Sequence, residues 1–245
     1  HLFRQFTDVV LSEELDEYME RPKVRGGSPQ TVSVPASPAL EDYVEQLNKR
    51  AEAVRGRQVD PSEDNMLAIT TDGRKAALDM RLVDPAYGDD AGSKVNAAVD
   101  EIFRIWRETQ RERSTQLVFV DFSTPGGEGF NVYDDMKGKL LEEGIPEKEI
   151  AFIHDANTDA QKERLFADVR AGRVRILFGS TLKMGVGTNV QTRAVALHHL
   201  DAPWRPADIE QREGRIIRQG NQNEEIGIYR YVTEGSFDAY MWQTL

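Results

Sequence analysis

The chain of 245 residues contains no cysteine, which excludes disulfides, thiol nucleophiles and cysteine-ligated zinc. Its four histidines, His1, His154, His198 and His199, show no metal-ligand spacing, so no structural metal is expected. It has no apolar run of membrane-spanning length and no signal-peptide pattern at its start. A protein without membrane contact and of cytoplasmic location is therefore expected. Nothing reads G-x-x-x-x-G-K-[ST]: Gly138-Lys139 is followed by Leu140 inside a helical pattern, so no phosphate-cradling loop of that type is present. No Asp-Glu pair closes an apolar strand as a metal-holding pair would. The first residue is not Met and the last segment, 236–245, reads as a helix still under way. A piece of a longer protein is expected.

What is present is acidic in sum and basic in one place. The net charge is −11, which by itself argues against a nucleic-acid partner. Residues 171–220, however, hold eight Lys or Arg against four Asp or Glu, a local +4. A basic surface on an acidic protein is compatible with phosphate binding.

Periodicity gives the architecture. Apolar residues at helical spacing predict helices over 1–20 (Phe3, Phe6, Val9 and Val10), 38–55, 73–82, 95–110, 130–143, 159–170 and 207–218. Residues 24–38, with Gly26-Gly27 and alternating Thr31-Val32-Ser33-Val34, read as a loop containing a short strand. The short, unbroken apolar run at 117–120 is what a strand buried on both faces requires, and further strands are expected at 150–153, 174–178, 195–200 and 226–232. Strand and helix alternate from residue 93 onward. The fold class expected is α/β, a parallel sheet with helices on both faces. The loop 84–92 marks the best boundary, with a mostly helical lead-in at 1–92 and the α/β domain at 93–245. Ligands of such sheets bind beyond the carboxyl ends of the strands, where the loops after Val120, Phe178 and Leu200 lie.

Those loops hold the unusual residues. Ser180-Thr181 is followed by Gly185, Gly187 and Asn189, then Asp201, Pro203-Trp204 and Pro206, then Gln211-Arg212-x-Gly214-Arg215-x-x-Arg218. On a helix the three arginines would share one face and repel one another. A solvated face is the ordinary reading of such a stripe alone. An anionic partner is the other, and phosphate suits the guanidinium fork. Arg212 is also open to pairing with Glu213 or Asp208 on the helix surface.

Taken in this order, the motifs resemble the C-terminal RecA-like lobe of superfamily 2 helicases and translocases, in their Swi/Snf-type branch. Ser93-Lys94 and 116–122 look like the start of that second lobe, and Pro22-Lys23, Val32-Ser33-Val34 and Tyr43 are similar to its helical lead-in. The resemblance implies a RecA-like fold of the P-loop NTPase type. It implies that Arg215 and Arg218 act as arginine fingers on ATP bound by an N-terminal RecA-like lobe. Gln211, Gly187 and Asn189 would border the nucleotide, Gly187 because a Cβ there would collide. Contact with the DNA backbone is expected on the opposite edge, through Ser180, Thr181, Lys183, Trp204 and Arg205, with His154 nearby. Arg205 replaces the Asn that follows this Trp in the family, and packing under the loop competes with DNA contact as the role of Trp204. ATP and Mg2+ would belong to the complete two-lobe protein, leaving this chain inactive alone. A different reading is a non-catalytic module that holds DNA or a partner inside a large bacterial or phage protein of methylase or restriction type.

Overall fold

The computed structural model of the protein describes residues 20–184 and 188–245. The helices expected over 1–20 fall almost wholly outside the described residues, as does Gly187. Among the described residues, seven strands form one sheet: β1 (Lys23–Val24), β2 (Gln30–Val34), β3 (Thr115–Phe119), β4 (Ile150–Phe152), β5 (Ile176–Gly179), β6 (Ala194–His199) and β7 (Glu225–Thr233). Their spatial order is β7-β6-β3-β5-β4, and β1 and β2 share the outer edge of β7. Every pairing is parallel.

Helices cover both faces. They are α1 (Pro38–Arg55), α2 (Met66–Leu78), α3 (Lys94–Glu108), α4 (Val132–Glu142), α5 (Asp159–Arg170), α6 (Pro206–Glu213) and α7 (Phe237–Thr244). Successive residues of β3 point to opposite faces, as strand geometry requires. Val118 joins Val95 and Ile102 of α3 and Met136 and Leu140 of α4 in one core. Leu117 and Phe119 join Phe166 and Val169 of α5 in the other, together with Ile216. Most helices start where a side chain caps them: Asn65, Ser93 and Asn131 each accept a backbone N–H in the first turn, and Thr158 with Gln161 forms a capping box.

Three elements depart from the sequence expectation. Residues 23–34 hold two strands of the main sheet, separated by the turn Arg25–Gly27, in which Gly26 and Gly27 take positive φ of 73° and 80°. The helix expected at 73–82 begins at Met66, because Asn65 caps it and the hydroxyls of Thr70 and Thr71 bond to the carbonyls of Met66 and Leu67. It ends at Leu78, before Asp79 adopts an extended backbone. The helix expected at 207–218 stops at Glu213. Beyond it the Arg215 N–H bonds three residues back to Arg212, and Ile216 is drawn into the core under the sheet. Arg212, Arg215 and Arg218 therefore do not form a stripe along one helix.

Candidate functional site

The carboxyl ends of β3, β5 and β6 are stitched into one rim. The Val120 N–H donates to the Gly179 carbonyl and the Leu200 N–H to the Phe119 carbonyl, both at 3.0 Å. Each of these strands runs out into a polar residue. Asp201, after β6, accepts the N–H groups of Asp121 at 2.6 Å and Phe122 at 3.0 Å. Asp121, after β3, accepts the Thr181 N–H at 2.6 Å and the Thr181 hydroxyl at 2.9 Å.

Arg212, in the last turn of α6, closes this arrangement from below and is only 1% exposed. Its Nε donates to Thr181 Oγ1 at 2.7 Å. Nη1 donates to the Asp201 carbonyl at 2.9 Å and to His199 Nδ1 at 3.2 Å, and Nη2 reaches Asp121 at 2.8 Å and the Asp201 carboxylate at 3.1 Å. All five guanidinium N–H groups thereby have an acceptor. One buried cation between two carboxylates splits their behaviour. Burial above all pushes the Asp201 carboxyl up, whereas Arg212 and the two Thr181 donors outweigh burial at Asp121 and hold it below the usual range.

The histidines ending β6 are part of the support. His199 takes the Arg212 proton donor on Nδ1 and gives its Nε2 proton to Glu213 at 3.3 Å; Glu213 is also bonded by Arg230 at 2.9 Å. Burial drops the His199 pKa to about 4. His198 lies between Tyr231 and Gln116, each at 2.9 Å, and burial drops its pKa to about 3. Both rings are neutral core groups.

Above the network is a cleft of about 500 Å³ lined by Asp121, Thr124, His154, Ser180–Lys183, Arg205, Asp208 and Gln211. It gathers the residues expected at a nucleic-acid backbone, Ser180, Thr181, Lys183 and Arg205, with His154 beside them. These residues sit at the carboxyl rim because they follow strands of the sheet. Gln211 faces this cleft too. The Thr181 hydroxyl is committed, its proton to Asp121 and a lone pair to Arg212. Leu182, 87% exposed, forms the lip. His154 stands edge-on to Tyr133 at 5.2 Å, and burial followed by the nearby Lys183 lowers its pKa. Trp204 is 52% exposed and packs on Arg74 of α2, whose guanidinium lies 4.4 Å from both the Trp204 and the Phe122 rings and bonds the Ala202 carbonyl at 2.7 Å.

Arg215 and Arg218 lie elsewhere, past the end of α6. Their turn is tied to the stretch before β6: Gln191 Nε2 bonds the Gln219 carbonyl at 3.2 Å, and the Gln222 N–H bonds the Thr192 carbonyl at 2.9 Å. Asn221 bonds the carbonyl of Ala194, the first residue of β6, at 2.9 Å. The two arginines thus run down a flank of the sheet, away from the rim. Asn189 is exposed on the same connection, its carbonyl accepting from Arg170 at 2.9 Å. Burial and the charge of Arg218 lower the Arg215 pKa, which places each guanidinium in the other's field.

Sequence reasoning missed Arg212 as the centre of the site, and with it Asp121, Asp201 and Arg74. The available signal was an Asp directly after each of two buried apolar strands, at Val120-Asp121 and Leu200-Asp201, where a carboxylate needs a cation.

Three comparisons bear on this arrangement. Residues 93–220 match the family model described as the helicase conserved C-terminal domain. The chain is 39% identical over 83 residues to the protein called defense against restriction protein B of Escherichia phage P1, a stretch covering 34% of this chain. It spans 4% of the length of that relative. In fold it resembles the C-terminal part of the Fun30 ATPase domain, with a TM-score of 0.67 at 14% identity over 91% of this chain and 88% of the other.

Proposed function

Because the chain belongs to the helicase conserved C-terminal domain family, we propose that it is the C-terminal motor lobe of an ATP-dependent DNA helicase or translocase. In this reading Arg215 and Arg218 act as arginine fingers on ATP held by an N-terminal RecA-like lobe of the same protein. Asn189 and Gly187 border the nucleotide with them. Ser180, Thr181, Lys183 and Arg205 line the path of a DNA strand, with Trp204 at its side and Gln211 between the two regions.

The observation that carries the reading is the family match over residues 93–220, which spans the rim cleft together with Arg215 and Arg218. A polyphosphate shared by two forked donors suits such a pair of guanidinium groups. In this reading Mg2+ and the phosphate cradle belong to the other lobe, and this lobe alone is inactive. Phosphoryl transfer draws only charge stabilisation from such arginines, worth roughly 10³–10⁵ in rate once metal and cradle are in place.

The test is DNA-stimulated ATPase in the full-length protein. Arg215→Ala and Arg218→Ala should each lower kcat by roughly 10³-fold or more with the melting temperature retained; full activity in either would remove that finger. The small share of the phage relative that is matched favours a second reading, a DNA- or partner-holding module inside a much larger methylase- or restriction-type protein. A preceding lobe without a phosphate-binding loop would decide for it.

A further inference from the structure

We propose that Arg212 is a positioning residue that makes ATP hydrolysis answer to the occupancy of the rim cleft. The inference rests on the function proposed above.

Thr181 is the shared wall. It lines the cleft, and its hydroxyl is the acceptor for Arg212 Nε at 2.7 Å. The Arg212 carbonyl in turn accepts the Arg215 N–H at 3.1 Å. Two hydrogen bonds therefore separate the cleft wall from the backbone of an arginine finger. Between them stands a side chain with no freedom: five N–H groups are spent on Thr181, Asp201, His199 and Asp121, and the fork is buried. A buried fork so anchored moves as a body or loses bonds that cost roughly 1–3 kcal/mol each when left unmade. A backbone phosphate that draws on Ser180 or Lys183 shifts the 180–184 turn. The displacement passes through Thr181 to Arg212, and from its carbonyl into the turn that sets where Arg215 points.

Lysine at 212 keeps the charge and loses the fork, so it cannot span Thr181, Asp121 and Asp201 together. In the full-length protein, ATPase is measured without DNA and with saturating duplex or single-stranded DNA. The ratio of stimulated to basal kcat should fall by roughly 5–150-fold in Arg212→Lys, the range of coupling between two sites. Thr181→Val, which puts a methyl group in place of the hydroxyl that bonds Arg212 and Asp121, should lower the same ratio, and Thr181→Ser, which keeps the hydroxyl, should leave it near wild type. The double variant should fall no further than the larger single, since both act through one bond. An unchanged ratio in a folded Arg212→Lys protein overturns the proposal, as does an equal loss of basal and stimulated rates. If Arg212→Lys does not fold, an unchanged ratio in Thr181→Val overturns it. Wild-type protein whose ATPase ignores DNA would instead remove the function itself, which keeps the two failures apart.

Discussion

Acid should unfold this domain earlier than its carboxylates alone would dictate, because two histidines are buried neutral in the strand that carries the rim. The imidazole of His198 has its pKa depressed from 6.5 to about 3, chiefly by burial and then by the neighbouring His199 and Arg104; that of His199 is depressed from 6.5 to about 4. A histidine whose folded pKa is depressed contributes fully above its unfolded pKa, and that contribution is lost as pH falls from there toward the folded value. Between about pH 8 and about pH 5 each of the two should cost ~2 kcal/mol, from 1.36 kcal/mol per unit. A domain stable by roughly 5–15 kcal/mol registers such a loss clearly. Burial raises the carboxyls of Asp201 and Asp238, so they act in the opposite sense as pH falls. The comparison must cancel them, and His198→Gln does so, since an amide can face Gln116 and Tyr231 without titrating. Urea unfolding across this pH range should show the variant losing ~2 kcal/mol less than wild type on acidification, a midpoint difference on the order of 1 M. Parallel curves for the two proteins would refute the assignment of a buried neutral imidazole.

Two further perturbations probe buried cations that tie helices together or to the rim. Lys94 and Asp238, 1% and 3% exposed, pair at the start of α3 and α7. Lys94→Met should lower stability by about 3–5 kcal/mol and the melting temperature by roughly 10 °C, with most of the loss recovered in Lys94→Met/Asp238→Leu; a single variant that melts like wild type would contradict the buried pair. Arg74→Met should cost ~2 kcal/mol through the lost ring stacking and the lost bond to the Ala202 carbonyl. The same change should red-shift the emission of Trp204, read against a Trp204→Phe control, and an unchanged spectrum would count against the stack.

Much of the fold was legible because local and tertiary signals agreed. The run Leu117-Val118-Phe119 is apolar at successive positions, which only a strand covered on both faces needs, and the expected helix 159–170 coincides with α5 because Thr158 and Gln161 announce its start. Where tertiary packing overrode local pattern, the reading slipped. The sequence Gly214-Arg215-Ile216-Ile217-Arg218 continues a helical rhythm, yet Ile216 gains more from the core beside Leu197 and Ile228 than from another helical turn. The helix expected from Gly73 starts about two turns earlier, where the hydroxyls of Thr70 and Thr71 bond within it. Of the site, the cleft residues could be found because they directly follow strands. For Arg212 the two strand-ending aspartates signalled only that a cation was needed, not which one, since Thr181, Asp121 and Asp201 become its neighbours only when three parallel strands end together.

The same network resolves the apparent conflict between an acidic chain and the phosphate-facing role proposed for it. Counted by sequence, the rim carries Asp121, Asp201, Asp208 and Glu213, enough to repel a polyanion. Counted by structure, Asp121 and Asp201 share Arg212, Asp208 is bonded by Arg205 at 2.9 Å, and Glu213 is bonded by Arg230 and His199. Each carboxylate is answered within a few ångströms, where the attraction is strong and little screened. In the proposed function an approaching strand would meet Lys183 at the rim, and a nucleotide would meet Arg215 with Arg218 on the flank. Substituting Asp121 or Asp201 by Asn would therefore not simply make the surface more attractive to phosphate. It would loosen the guanidinium that holds the rim in register, and the gain in net charge would be set against a loss of shape.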